Sequence, residues 1–289
     1  MSYALFGPAG MSDDAKKACK ASLQMPKFLS EYGLDCFEYQ CGRGVAIGEE
    51  SARALGLMAL RCGIKMSLHS PYYINLSAAS GEKIEKNLMY ITKSAQACDF
   101  MGGDRVVVHC GGLSGQSRGD ALKNTLINLE AALKELESMG LSHVRLCVET
   151  MGKINVLGDE DEVLEICRHD ERLLPCIDFG HLNSRTQGGM SREGDFLRML
   201  GKMEDALGVE RARAFHGHFS KIEYSKGGEV RHLTFEDEVY GPDFEPLGRL
   251  LAERGYTPRI ICESAGTQSR DALIMKNIYM KYLHNKEEN

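Results

Sequence analysis

Residues 143–149 read HVRLCVE, an apolar, β-branched run that suits a buried strand and stops on a carboxylate. A stretch of helical period follows at 159–169, with Asp159 standing where an N-cap belongs. The same unit recurs along the chain. Strand-like runs lie at 3–7, 34–39, 64–69, 104–109, 143–149, 174–178, 213–219 and 258–263. Helical stretches fall near 13–32, 49–62, 81–101, 118–139, 159–169, 191–207, 243–254 and 269–284. Gly33, Gly63, Gly102, Gly103, Gly140 and Gly255 close helices, and Ser80 and Ser191 are further cap candidates. Eight strands, each followed by a helix, is the count of an α/β (β/α)8 TIM barrel; an open doubly wound sheet rarely needs so many regular units. No Pro/Ser-rich linker or low-complexity tract interrupts the pattern, so residues 1–289 read as one barrel domain.

Bulk properties narrow the function. The chain has 289 residues, 43% hydrophobic and 26% charged, as an ordinary globular protein with a large core does. No apolar run is long enough to span a bilayer, and the N-terminus lacks the basic and apolar regions of a secretory signal. A cytoplasmic protein without a membrane partner is expected. The net charge of −6 shows no basic stripe of the kind a dedicated DNA-binding domain carries, although bound divalent cations would offset part of the 41 carboxylates. The ten cysteines contain no C-x-x-C pair, and several sit in strand-like runs, so buried reduced thiols are expected.

The residues that end the strands carry the chemistry. The third run ends in His69, the fourth in His109, the fifth in Glu149 and the sixth in Asp178, with His181 just after. The seventh carries His216 and His218, the eighth ends in Glu263, and the second ends near Glu38. In a barrel these ends share the face where active sites are built. Singly, such a histidine is scaffolding and such a carboxylate a helix cap. Together they would repel and desolvate one another without compensation, and divalent cations held by neutral imidazoles and carboxylates supply it.

At this point the sequence resembles the endonuclease IV family of apurinic/apyrimidinic endonucleases, within the xylose-isomerase-like barrels. The matching stretches are LHSPYYINLS around His69, VVVHCGG around His109, LCVETMG around Glu149, CIDFGHLNS around Asp178 and His181, FHGHFSK around His216, EVRHL around His232 and IICESAG around Glu263. They cover about two thirds of the chain clearly and the N-terminal quarter loosely. The resemblance implies three zinc ions: one held by His69, His109 and Glu149, and a second by Glu149, Asp178, His216 and Glu263. His181 and His232 are implied as ligands of the third. It implies hydrolysis of the phosphodiester 5′ to abasic sites in DNA by a metal-bound hydroxide, with Glu149 and Glu263 as catalytic residues. Tyr72 and Asn75 fall where that family contacts nucleic acid.

Three departures stand beside the resemblance. The third zinc requires an Asp immediately before an Arg-His pair, but Val230 precedes Arg231 and His232; Glu229, one residue away, is a candidate substitute. The segment FEYQCGRGV lacks a clear minor-groove insertion, with Arg43 a surrogate, and MGKINVLG replaces a Gly/Gln-rich turn. Finally, His216 and His218 lie two residues apart and face the same side of a strand. The Ser-Lys at 220–221 favours His216 as the family ligand, leaving His218 as the further candidate. The long segment at 220–242 has a Gly227-Gly228 hairpin signal and is expected to form a lid.

Two enzymatic readings follow, with a non-catalytic metal-binding descendant as a third. A zinc phosphodiesterase, with two or three ions, acts on abasic DNA or another phosphate ester. A sugar isomerase or epimerase uses one Mn2+ or Mg2+ on Glu149, Asp178, His216 and Glu263, with the two glutamates as acid and base on a small sugar. The role of His69 and His109 discriminates them.

Overall fold

The computed structural model describes residues 3–287. Its eight barrel strands are β1 Leu5–Pro8, β2 Cys36–Gln40, β3 Lys65–His69, β4 Arg105–His109, β5 Arg145–Glu149, β6 Leu173–Asp178, β7 His216–Phe219 and β10 Arg259–Cys262. The antiparallel pair β8 Ile222–Ser225 and β9 Gly228–His232 follows β7. The barrel strands pair in parallel in the order β1-β10-β7-β6-β5-β4-β3-β2. Between the two end strands, Asp35 N donates to Phe6 O (2.9 Å), Gly10 N donates to Glu38 O (3.0 Å), and Ala9 bridges Glu38 in parallel. The ring is thereby closed as a (β/α)8 barrel. Gly7 lies at this seam, where a Cβ would overlap the Cys36 carbonyl oxygen.

The helices are α1 Asp13–Ala18, α2 Met25–Tyr32, α3 Glu49–Cys62, α4 Gly81–Phe100, α5 Arg118–Ser138, α6 Glu160–His169, α7 Phe179–Arg185, α8 Glu193–Leu207, α9 Val209–Arg213, α10 Glu245–Arg254 and α11 Gln268–Glu287. The expected 13–32 helix is therefore two helices: the backbone is extended at Cys19, and Pro26 occupies the first turn of α2. The 213–219 run starts as a strand only at His216, because its first residue still belongs to α9. Asp159 caps α6 in a reciprocal box with Glu162, whereas Ser80 occupies its cap position without a side-chain hydrogen bond, and the cap position of α8 is Arg192 rather than Ser191, its backbone N donating to Asp195 Oδ2 at 2.9 Å. All ten cysteines are unpaired and nine are buried.

Strand alternation separates two environments. Phe6, Val106, Val108, Leu146, Val148, Ile177, Phe219 and Ile260 join the main core, while the opposite faces meet inside the ring. Small apolar groups fill part of that interior: Val107, Cys147, Leu174 and Cys176 on one side, and Ala9, Cys36 and Ile261 on the other. The rest is polar, with Glu38, Ser67, His216 and His218 fully buried. Barrel interiors are ordinarily filled with branched apolar side chains, so polar residues here call for a reason.

Candidate metal centre

Parallel register brings the strand ends level. His109 is opposite Glu149, and Asp178 is opposite His218. His69 Nε2 lies 3.3 Å and His109 Nε2 3.0 Å from the same oxygen, Glu149 Oε2. The other oxygen, Glu149 Oε1, lies 3.1 Å from His218 Nδ1 and 3.4 Å from His181 Nδ1. His218 Nδ1 is also 3.6 Å from Glu263 Oε1. Glu149 is thus the shared edge of two groupings: His69, His109 and Glu149, and Glu149, Asp178, His218 and Glu263.

The ring joining Glu149, Asp178 and Glu263 is His218, not the favoured His216. His216 lies one layer deeper, opposite Cys176 and Arg259, and its Nε2 donates to Glu38 Oε2 at 2.9 Å. Both histidines point inward, as their spacing requires, but only the later one reaches the strand-end layer.

A third grouping joins His181, Glu229 and His232. His181 sits on α7, a seven-residue helix the sequence pattern did not separate from β6; Asp178 caps it by accepting from His181 N at 2.7 Å. Its Nε2 lies 3.5 Å from Glu229 Oε2, and His232 Nε2 lies 4.0 Å from Glu229 Oε1. In a regular strand, residues three apart face opposite ways. Here Tyr224 pairs with Glu229 and Glu223 with Arg231, so Val230 is an extra, bulged residue and is exposed. The bulge returns Glu229 and His232 to one side. The segment MGKINVLG braces this hairpin: Ile154 N donates to Gly227 O (3.2 Å) and Glu229 N to Gly152 O (3.3 Å). Gly228, at φ +95°, passes so close to Gly152 O that a Cβ would overlap it.

The electrostatics show how much compensation these groups need. Burial would lower the His69 pKa, but the hydrogen bond and charge of Glu149 outweigh it and raise it to about 9. Burial would raise Glu149, yet the charges of His109 and His218 hold it well below the carboxylate range. Asp178 rises to about 6, chiefly through burial, against the pull of His181. His216 falls to about 4 through burial despite its bond to Glu38.

The donor set fits divalent cations. His69 Nδ1 donates to Ser70 O (2.8 Å) and His181 Nδ1 to Thr150 O (2.9 Å), which fixes each ring with Nε2 turned toward a carboxylate oxygen. A divalent cation seated between such a nitrogen and carboxylate would take the place of the proton they share. Asp178 Oδ2 is buried without a hydrogen-bond partner and offers one further ligand atom. Imidazole and carboxylate donors of this kind suit zinc or manganese.

A cavity of about 540 Å³ opens over the centre, lined by His69, His109, Glu149, His181, Glu229, His232 and Glu263 together with Tyr72, Tyr73, Asn75, Met151 and Lys153. Tyr72 is exposed on its rim. Asn75 lines it but spends its side chain within the loops, accepting from Ser77 and donating to Ser114 Oγ (3.1 Å). Arg43 is exposed and does not line it; its carbonyl accepts from Tyr73 Oη at 3.1 Å. Tyr73 and Lys153, which the sequence reading did not single out, do line it. Two other clefts are somewhat larger, but neither contains any of the three groupings.

A closed barrel with histidines and carboxylates gathered at its strand ends defines a recognisable class. The chain belongs to the xylose isomerase-like TIM barrel family, whose model matches residues 26–280. It is 33% identical over 272 residues, 94% of this chain and 96% of the relative, to an uncharacterized protein of Methanocaldococcus jannaschii. It is 26% identical over 181 residues to a probable endonuclease 4 of Nitratidesulfovibrio vulgaris, spanning 61% of this chain and 63% of that one. Among solved structures it resembles endonuclease IV from Thermus thermophilus (TM-score 0.64, 20% identity, 92% and 95% of the two chains). It also resembles a D-tagatose 3-epimerase-like protein (TM-score 0.70, 21% identity, 91% and 93%). Among the described residues, no helix is long and apolar enough to cross a membrane.

Proposed function

We propose that the chain is a metal-dependent phosphodiesterase resembling endonuclease IV, which hydrolyses the phosphodiester 5′ to abasic sites in DNA with two or three zinc ions. The observation that carries this reading is the sharing of Glu149 between the His69–His109 grouping and the Asp178–His218–Glu263 grouping. Adjacent ions would supply a nucleophile at neutral pH and stabilise the attacking and leaving oxygens of an in-line displacement. His69, His109 and Glu149 would hold one ion, Glu149, Asp178, His218 and Glu263 the next, and His181, Glu229 and His232 a third. Tyr72 and Tyr73 offer aromatic faces at the mouth for an unstacked sugar or base. Lys153, on the cavity wall, supplies a cationic group for a phosphate. The likeness to probable endonuclease 4 sequences supports this assignment.

A second reading is a sugar isomerase or epimerase using one Mn2+ or Mg2+. It is favoured by the cavity's size, which suits a small molecule, and by the Glu149, Asp178, His218 and Glu263 quartet standing as a complete site on its own. The deciding assay offers zinc-loaded protein a duplex carrying one synthetic abasic site, and in parallel a panel of ketoses. Incision 5′ to the abasic site supports the first reading. Ketose turnover without incision replaces it with the second.

A further inference from the structure

Beneath the centre, and unused by any role assigned so far, lies a buried carboxylate. We propose that Glu38 is the positioning residue for His218, holding that ring so that Nδ1 faces Glu149 and Glu263. The inference rests on the reading of His218 as a metal ligand.

Glu38 is fully buried inside the barrel, and both of its oxygens are occupied. Oε2 accepts from Ser67 Oγ at 3.0 Å and from His216 Nε2 at 2.9 Å. Oε1 accepts from Gln40 Nε2 at 3.2 Å and lies 3.0 Å from His218 Nε2. His218 Nε2 makes no aligned hydrogen bond, and Glu38 is the carboxylate within ion-pair distance of it. A carboxylate with three fixed donors cannot swing away. It therefore presents a stationary negative edge to Nε2 of His218 and fixes the orientation of the ring. The opposite nitrogen, Nδ1, is thereby aimed at the strand-end layer, 3.1 Å from Glu149 Oε1 and 3.6 Å from Glu263 Oε1. A carboxylate behind an imidazole also makes the far nitrogen a stronger donor.

His69 and His181 achieve the same result with backbone carbonyls. The ring of His218 stands between carboxylates instead, Glu38 on the Nε2 side and Glu149 on the Nδ1 side. This accounts for His216 as well: it is the brace that fixes Glu38. It also accounts for polar side chains at Glu38, Ser67 and His216, where apolar ones would pack more cheaply.

The test compares wild-type protein with Glu38→Gln and, as a milder change, Ser67→Ala. Zinc affinity is measured by competition with a chromophoric chelator, and the cobalt-loaded protein is examined by visible absorption. Loss of such an outer partner typically weakens metal binding 10–100-fold. We expect one zinc class of Glu38→Gln to weaken by about that factor, with an altered cobalt spectrum, and a smaller loss in the same direction for Ser67→Ala. The His69–His109 class should stay unchanged. If both variants bind all their zinc within about twofold of wild type and keep its cobalt spectrum, the role of Glu38 is refuted while the metal centre stands. If Glu38→Gln does not fold, Ser67→Ala decides by the same criterion. A wild-type chain that binds no metal overturns the metal-centre reading and this inference with it.

Discussion

Glu149 accepts contacts from four histidines, two on each carboxylate oxygen. No other side chain here belongs to both the His69–His109 grouping and the Asp178–His218–Glu263 grouping. Glu149→Gln keeps the shape and removes the charge that both groupings need. We expect that variant to lose turnover to the level of chelated protein in whichever assay wild type responds to, while its circular dichroism stays native. Retained turnover would mean that the reaction does not run through a shared carboxylate. The residue scale is also where the sequence was most and least legible. Glu149, Asp178 and Glu263 could be read because each ends an apolar run. His216 and His218 could not be ranked, since period-two spacing puts both inside the barrel and only register says which is level with Asp178. Glu38 shows the same difficulty: its burial follows from the closure of β1 against β2, which is not a local property.

Two elements shape the mouth of the barrel. The first is the β8–β9 hairpin, whose Gly227-Gly228 signal was readable, while the bulge at Val230 was not, because a bulge depends on the partner strand. Deleting Val230 leaves Glu229 and His232 two apart, on one side of an unbulged strand. Metal content should then equal that of wild type, whereas Glu229→Ala should lose one ion. Loss of an ion on deleting Val230 would refute the alignment argument. The second element is the N-terminus of α6. Glu162 Oε2 accepts from Gly158 N and Asp159 N at 2.8 and 3.0 Å, and both its oxygens accept from Arg118. Arg118 and Arg185 in turn hold the carbonyls of Ile154 and Val156, in the loop beside the site.

Burial would raise the Glu162 pKa, but Arg118 and the two amides outweigh it and lower it below the usual value. A depressed carboxylate stabilises the fold above its unfolded pKa, and that contribution is lost as pH falls through the folded value. Glu162→Gln should therefore cost about 1–2 kcal/mol at pH 7, part of the charge-assisted range being discounted because Arg118 is partly exposed. The gap should close as pH drops below about 4. Urea titrations at several pH values check this. A gap that persists in acid would assign the loss to packing instead.

At the scale of the whole molecule, the barrel is a scaffold that presents eight strand ends to one mouth. Its fold was legible because βα units repeat and because Gly33, Gly63 and Gly255, all at positive φ, end helices where expected. Helix α7 escaped notice because seven residues carry little period and its cap, Asp178, is also the end of β6. The polar column inside the ring, from Arg105 and Arg259 at one end through His216 and Glu38 to His218, was equally hidden. Its members come from β2, β4, β7 and β10, which are far apart in the chain. At the lower end Arg259 donates to Met66 O (2.9 Å) and pairs with Asp104, while Arg105 donates to the carbonyls of Ala214 and Phe215, closing the face opposite the mouth.

The most direct test of the account is the metal content of protein purified without added metal or chelator, measured by elemental analysis. Three groupings around Glu149 and Glu229 predict two or three zinc ions per chain, one of which is lost in His69→Ala/His109→Ala protein. A single manganese or magnesium ion per chain, unchanged by that double substitution, would contradict it and leave only the quartet of Glu149, Asp178, His218 and Glu263 as a metal site.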